Sequence, residues 1–332
     1  MKELLNQLIQ YKTLTQPEAK DVLTKIASGK VNETQVAVFL SVFMMRSITL
    51  EELSGFREAL KRLAITVDLS AYKTIDLCGT GGDGKNTFNI STLTAFIVAG
   101  AGAKVAKHGN YGVSSSCGSS NVLEHFGYRF SNDEAKLQDE IEQAGICFLH
   151  APLFNPAMKN IAPVRRQLGL KTFFNILGPM INPSSPANQL IGVFNLELAR
   201  TYHYLYQASD VQYAIIHSLD GYDEISLTGP FKQITRRGEQ MKRPEELGFV
   251  RITPDAILGG RDVKSSAGIF YQILEGNGTT AQNSVVLANS QLALSILHPD
   301  WAPDDCLSLA KESLISGRAL SVFKKLIKIN RP

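Results

Sequence analysis

The sequence is poor in cysteine, and the few it has are dispersed. Cys78, Cys117, Cys147 and Cys306 form no CxxC pair. A zinc site or a dithiol redox centre is therefore unsupported, and scattered thiols suit a reducing cytoplasm. Long apolar runs are missing too. The most apolar stretch, Leu93 to Val105, is broken by Gly100, Gly102 and Lys104, which makes it too short and too interrupted to span a bilayer. The opening MKELLNQL lacks the continuous apolar core of a signal peptide, so a cytoplasmic protein without membrane attachment is expected. Neither sign of charge dominates: 34 basic residues face 31 acidic ones, for a formal net charge of +3. That balance lacks the electrostatic footprint of a dedicated nucleic-acid binder. Internal repeats, low-complexity tracts and long linkers are absent as well.

What is present is the composition of a folded globular chain. Of 332 residues, 44% are hydrophobic and 20% charged, ordinary shares that exclude disorder. Domains run to about 100–200 residues, so one large or two modest domains are expected. A chain of this length buries a large core without disulfides or a structural metal.

The first segment, to about Ala64, reads as all helix. Thr15 is followed three residues later by Glu18, Asn32 by Gln35, and Thr49 by Glu52. Each pair matches or approximates a capping box, in which two side chains satisfy free amides at a helix start. Gly29 is placed to stop the first capped helix. Val36, Phe39, Leu40 and Phe43 recur at helical spacing and mark a packing face. A helical segment this small exposes much apolar surface and is expected to pack against another domain or subunit.

From Tyr72 the pattern changes. Thr74 to Cys78 reads as a buried strand running into a glycine-rich turn, with a helix from about Ser91. Lys104 to Lys107, Ile146 to Leu149, Gln189 to Val193 and Ala214 to His217 are further strands separated by helical stretches. Such alternation predicts an α/β sheet, largely parallel, with helices on its faces. Ligands then bind at the carboxyl ends of the strands.

The richest stretch is Asp76-Leu-Cys-Gly-Thr-Gly-Gly-Asp-Gly-Lys-Asn-Thr-Phe-Asn-Ile-Ser-Thr92. Gly79, Gly81 and Gly84 fit the dinucleotide fingerprint, but the next strand ends in Lys107-His108 instead of the acid that would bind ribose. Gly79 to Lys85 nearly fits the P-loop, yet Asn86 stands where that motif needs Ser or Thr for magnesium. A third reading survives: backbone amides freed by glycine approach an anion, and Asp83 accepts from sugar hydroxyls or holds the loop closed. Asn89, Ser91 and Thr92 open the next helix, whose free amides and dipole favour phosphate. A second such loop follows the second strand. Lys107-His108-Gly109-Asn110 precedes the hydroxyl-rich run of Ser114, Ser115, Ser116, Ser119 and Ser120. Lys107 is a compact cation suited to phosphate. Two anion-ready loops after consecutive strands could clasp a ligand with two separate phosphate groups.

Together these segments resemble the anthranilate phosphoribosyltransferases of tryptophan biosynthesis. The likeness covers nearly the whole chain: the helical opening, Gly79-Thr-Gly-Gly-Asp83, Asn89-Ile-Ser-Thr92, Lys107-His-Gly-Asn110, Ala162-Pro-Val-Arg-Arg166, Phe174-Asn-Ile-Leu-Gly-Pro179 and Asp223-Glu224. The chain departs from the family's usual pattern at Tyr111, Cys117, Ser120-Asn121 and Asn155.

The resemblance implies a type III phosphoribosyltransferase fold, related to the nucleoside phosphorylases. A small all-helical domain, residues 1–65 joined by about 158–183, would accompany an α/β domain, residues 70–157 and 184–332, with a mostly parallel central sheet. The active site would lie between them, and the helical domain would form a homodimer. Anthranilate would attack the anomeric carbon of phosphoribosyl pyrophosphate, releasing pyrophosphate, with Mg2+ required. Carried over by motif, Gly79, Gly82, Asp83, Thr87, Asn89, Ile90, Ser91 and Thr92 would bind phosphoribosyl pyrophosphate, joined by Lys107, His108, Gly109, Asn110, Ser114, Ser115 and Ser119. Gly79, Asn110 and Arg165 would meet anthranilate, and Ser91, Asp223 and Glu224 would hold magnesium. Lys107, His108, Asn110 and Arg165 would carry catalysis.

The residue chemistry agrees. A guanidinium such as Arg165 binds a carboxylate through two parallel hydrogen bonds, and two acids near a pyrophosphate suit magnesium. Rival readings are a pyrimidine nucleoside phosphorylase, a nucleic-acid-binding relative of the same fold, and an oxidoreductase. Lys107-His-Gly-Asn110 and Arg165 speak against the first. The near-neutral charge and intact acids speak against the second.

Overall fold

The computed structural model describes residues 1–112 and 115–330. The chain divides into two compact units, Met1–Thr66 with Ala151–Pro183, and Val67–His150 with the chain from Ser184 on.

The first unit is helical: α1 (Lys2–Ile9), α2 (Gln16–Ala27), α3 (Glu33–Met45) and α4 (Leu50–Leu63). The expected caps form. Thr15 and Glu18 cap α2, the Asn32 side chain accepts from the Gln35 amide at 2.9 Å, and Thr49 exchanges bonds with Glu52 at the start of α4. Gly29 follows α2 with a φ of +71°, the left-handed turn that glycine takes without strain. The chain returns to this unit through α8 (Ala151–Phe154) and α9 (Ala162–Leu168). The return contributes Phe173, which stacks on Phe56 at 4.5 Å and meets Phe39 and Phe43 edge-on. Beside this cluster, Glu52 is fully buried and held by both terminal nitrogens of Arg46, at 2.6 and 2.9 Å. It also accepts from the backbone amides of Leu14 and Thr49.

The second unit is built on β1 (Thr74–Gly79), α5 (Ile90–Gly100), β2 (Lys104–Gly109), α6 (Ser119–His125), α7 (Glu134–Ala144) and β3 (Ile146–His150). After the excursion come β4 (Asn188–Gly192), α10 (Leu196–Gln207), β5 (Gln212–Ser218), β6 (Phe231–Thr235), β7 (Gly238–Lys242) and α11 to α14 (Val263–Leu274, Thr280–Leu297, Pro303–Ile315, Arg318–Ile329). The sheet runs β3-β2-β1-β4-β5-β6-β7, parallel through β5 and antiparallel beyond it. All five expected strands form. The β6–β7 hairpin was not expected from sequence, because its turn is Arg236-Arg237 and most of β7 is polar and exposed. Neither a turn signature nor an apolar alternation announces it. No helix among the described residues is long and apolar enough to cross a membrane.

The topology fixes where a ligand can sit. The chain winds outward from β1 to β3, then restarts at β4 on the other side of β1. The loops after β1 and β4 therefore diverge, and the carboxyl ends of those strands form a crevice.

Candidate active site

The crevice is built from backbone that only glycine allows. Gly79 ends β1 and Gly192 ends β4, paired across the sheet. A Cβ on Gly192 would lie 1.6 Å from the Asp223 carbonyl oxygen, and one on Gly79 would lie 2.5 Å from Asp223 Oδ2. The two strand ends thus make room for the Asp223-Glu224 segment that follows β5. Gly81, Gly82 and Gly84 all take positive φ, near +60° to +76°, which curls the loop so that its amides point inward. Asp83 closes the curl by accepting from the Lys85 amide at 3.0 Å.

In the free chain the protein's own acids engage these amides. Asp223 Oδ2 accepts from Gly81 N at 2.8 Å, and Glu224 Oε1 accepts from Ser91 N at 3.1 Å, at the start of α5. One amide of the first loop and one at the helix start thus face carboxyl oxygens. Ile90 and Thr92 are buried, so their side chains do not reach solvent. The Asn89 amide nitrogen bonds the Cys117 carbonyl at 2.9 Å and ties the first loop to the second.

The second loop carries β2 outward. Lys107 and His108 are both about 2% exposed. Lys107 Nζ donates to the Leu77 carbonyl on neighbouring β1, so the ammonium is fixed beneath the first loop. Sequence reasoning, which treats a lysine after a strand as a reaching side chain, does not foresee this. The His108 amide donates to Asp76 Oδ1 at 3.0 Å. Asn110 is exposed, and its carbonyl receives Ser120 N and Ser119 Oγ. Asn121 Oδ1 accepts the amides of Gly112 and Gly118, each at 3.0 Å, so the asparagine serves the loop as an acceptor. Ser114 lies outside the described residues. Ser115 is half-buried on the same loop.

Sequence reasoning missed Asn86 and the strap after β7. Asn86 Nδ2 bonds the Gly260 carbonyl at 3.1 Å, its Oδ1 accepts from Ser116, and its carbonyl accepts the Gly259 amide. The residue that breaks the P-loop motif therefore braces both loops against residues 258–260.

The site concentrates buried acids. Burial, then the charge of Asp83, push the Asp223 carboxyl up to about 7. Burial, then Asp223 and Asp83, raise Glu224 well above its ordinary range, opposed by the Ser91 amide and Lys107. A hard divalent ion fits these oxygens. Among the described residues no group of three or more His, Cys, Asp or Glu side chains is placed to hold a metal alone. Two acids with substrate phosphates and water would therefore have to share the ion, as magnesium prefers. A cavity of about 20 Å³ separates Gly79, Ser91, Asp223 and Glu224, room for about one water.

Arg165 lies on α9 in the helical unit. Its guanidinium stacks over Phe174 at 5.2 Å, and burial lowers its pKa. A desolvated guanidinium beside an aromatic ring suits a planar carboxylate.

A direct test of the crevice follows. Gly79→Ala is expected to displace the Asp223 carboxylate and reduce kcat/KM about 100-fold, the cost of a misplacement near 1 Å. Steady-state kinetics on the folded variant check this, and activity within threefold of wild type would contradict the assignment.

Fold and sequence together place the chain among the glycosyl transferases. Residues 71–320 match the model of the glycosyl transferase family a/b domain, and residues 2–64 that of the family's helical bundle domain. An anthranilate phosphoribosyltransferase of Flavobacterium johnsoniae is 60% identical over 326 residues, 98% of each chain. One from Bacteroides thetaiotaomicron is 50% identical over 330 residues, 99% of each chain. The Thermus thermophilus enzyme of that name superposes with a TM-score of 0.91 at 29% identity, covering 99% of both chains. The Saccharomyces cerevisiae enzyme, in complex with phosphoribosyl pyrophosphate and Mg, superposes with a TM-score of 0.90 at 25% identity, over 98% of this chain and 96% of that one. The chain belongs to the anthranilate phosphoribosyltransferase family.

Proposed function

We infer that the protein transfers the phosphoribosyl group of 5-phosphoribosyl 1-pyrophosphate to the amine of anthranilate. The products are N-(5-phosphoribosyl)anthranilate and pyrophosphate, the second step of tryptophan synthesis from chorismate. The observation that supports the reading is the pair of backbone amides, Gly81 and Ser91, that face the carboxyl oxygens of Asp223 and Glu224.

The first loop, from Gly79 through Gly82 and Asp83 to Thr87, Asn89 and the start of α5, holds one phosphate group and the ribose. The second loop, from Lys107 through Gly109 and Asn110 to Ser119, holds the other. Asp223 and Glu224, with Ser91, would hold Mg2+, which would supply neutralisation of charge on the departing pyrophosphate. Arg165 takes the anthranilate carboxylate through its paired N–H groups.

The aromatic amine is unprotonated at neutral pH and needs no strong base. Its nitrogen lone pair forms the bond to the anomeric carbon as the carbon–oxygen bond to pyrophosphate breaks, and the nitrogen then loses a proton. The residues act by position and by fixed charge: the loop amides orient the sugar, and the Lys107 cation lies beneath them. We place the protein in the cytoplasm, where four free thiols persist, as a homodimer through its helical unit.

The test is to mix the protein with anthranilate, phosphoribosyl pyrophosphate and magnesium and follow anthranilate fluorescence. Loss of the signal that depends on all three components is expected. A stable signal with folded protein overturns the reading.

A further inference from the structure

A cavity of about 370 Å³ in the α/β unit lies away from the crevice. It sits between the β6–β7 hairpin and α12. The Arg236-Arg237 turn lies beside the first residues of β5, since Thr235 pairs with Ala214. The crevice lies at the opposite end of the parallel strands. The cavity is within the size range of small-molecule sites, about 300–1,000 Å³.

Its walls have distinct chemistry. Ile225, Phe231 and Leu292 form an apolar floor, and Trp301, half-exposed and stacked on His298 at 4.0 Å, forms a flat side. Alternation along the hairpin turns Gln233, Gln240 and Lys242 to one face, because Phe231 pairs with Lys242 and Gln233 with Gln240. Glu239, also on the lining, is paired with Lys232 at 2.6 Å. Arg237 is occupied by the Pro299 carbonyl at 3.2 Å. Arg236, also on the lining, gives its Nε to the Val211 carbonyl at 3.1 Å. Lys242 is a third cation there, and burial holds its ammonium below the ordinary value, opposed by Glu246. Glu246 is itself engaged with the Arg243 amide. Gln291, 3% exposed, donates to the Pro303 carbonyl, while its Oε1 has no hydrogen-bond partner among the described residues.

We propose that this cavity binds a small flat aromatic carboxylate, its ring between Trp301 and the apolar floor and its anion on Lys242, and that occupancy is transmitted to the catalytic acids through Ile225. The link is short and covalent. Ile225 follows Glu224 in the chain, and Asn289 of α12 clamps it from both sides, accepting from its amide at 3.1 Å and donating to its carbonyl at 2.9 Å. Asn289 also borders the small cavity shared with Asp223 and Glu224, while its neighbours Ala288 and Gln291 line the large one. A ligand that shifts α12 or Ile225 therefore shifts Glu224. This second half rests on the functional reading above; the binding half does not.

Trp301 is the only tryptophan in the chain, so its fluorescence reports the cavity directly. Titration with 4-nitrobenzoate is expected to quench it saturably, with a Kd below about 1 mM. The neutral 4-nitrobenzyl alcohol and the Lys242→Gln variant are each expected to bind about tenfold more weakly, the worth of one charge-assisted bond. Ser295→Phe, which fills the cavity from α12, should abolish saturation. Lys242→Gln should keep wild-type turnover without the probe. Saturating 4-nitrobenzoate should shift the magnesium concentration for half-maximal rate by about fivefold. Quenching that is linear, or unchanged in Lys242→Gln, overturns the site. Saturable quenching with an unmoved magnesium response overturns the link through Ile225. Absence of turnover would touch only the functional reading, since the Trp301 titration needs none.

Discussion

Replacing Lys107 with methionine is expected to lower turnover at saturating substrates by about 100-fold or more, within the range lost when one fixed electrostatic group is removed from an active site. The ammonium is buried, pinned to the Leu77 carbonyl, and its charge is felt at Glu224. Fixed charge of this kind costs no reorganisation as negative charge builds on the departing group. The substitution also leaves the buried Leu77 carbonyl without its donor, so folding stability is expected to fall by about 1–3 kcal/mol. The two effects separate experimentally: circular dichroism and denaturant unfolding fix the folded fraction, and kcat is then corrected for it. Corrected turnover equal to wild type would show that Lys107 stabilises structure and not the leaving group.

The second large effect belongs to the helical unit. Glu52→Ala is expected to destabilise it by about 3–5 kcal/mol, because the buried Arg46 guanidinium loses its partner and the Leu14 and Thr49 amides lose an acceptor. Replacing both ends together, Arg46→Met with Glu52→Leu, should recover much of the loss, since an apolar pair of similar volume is often neutral. The pair also sets a pH response. Burial raises the Glu52 carboxyl, but the hydrogen bonds from Arg46, Thr49 and Leu14 outweigh it and leave the group below its ordinary value. A depressed carboxyl stabilises the fold fully above its unfolded value, about 4.3. The contribution disappears as the pH falls through the lower folded value. Urea midpoints from pH 6 to pH 3 should fall more steeply for wild type than for Glu52→Leu. Parallel curves would remove Glu52 from the acid response.

Local rules carried the sequence reading far because they act over few residues. The caps at Thr15, Asn32 and Thr49 are contacts three residues long, and all three form. The buried strands announce themselves as apolar runs, and the glycine loop by its density of glycines. What stayed illegible depends on pairing across the chain. Nothing near Gly192 reveals that its missing side chain makes room for the Asp223 carbonyl. The hairpin of β6 and β7 is half polar, and Lys107 points inward only because a β1 carbonyl awaits it. Asn86 reads as a defect in a borrowed motif, yet it ties three loop segments together.

The aromatic cluster of the helical unit has a consequence for synthesis. Phe39, Phe43 and Phe56 leave the ribosome early, but the ring that stacks on Phe56 belongs to Phe173. At about 5–20 residues per second, the nascent helices wait on the order of ten seconds for their last partner. Through that interval they present a sticky, unfinished face, so newly made chains should depend on holding chaperones more than refolded full-length protein does.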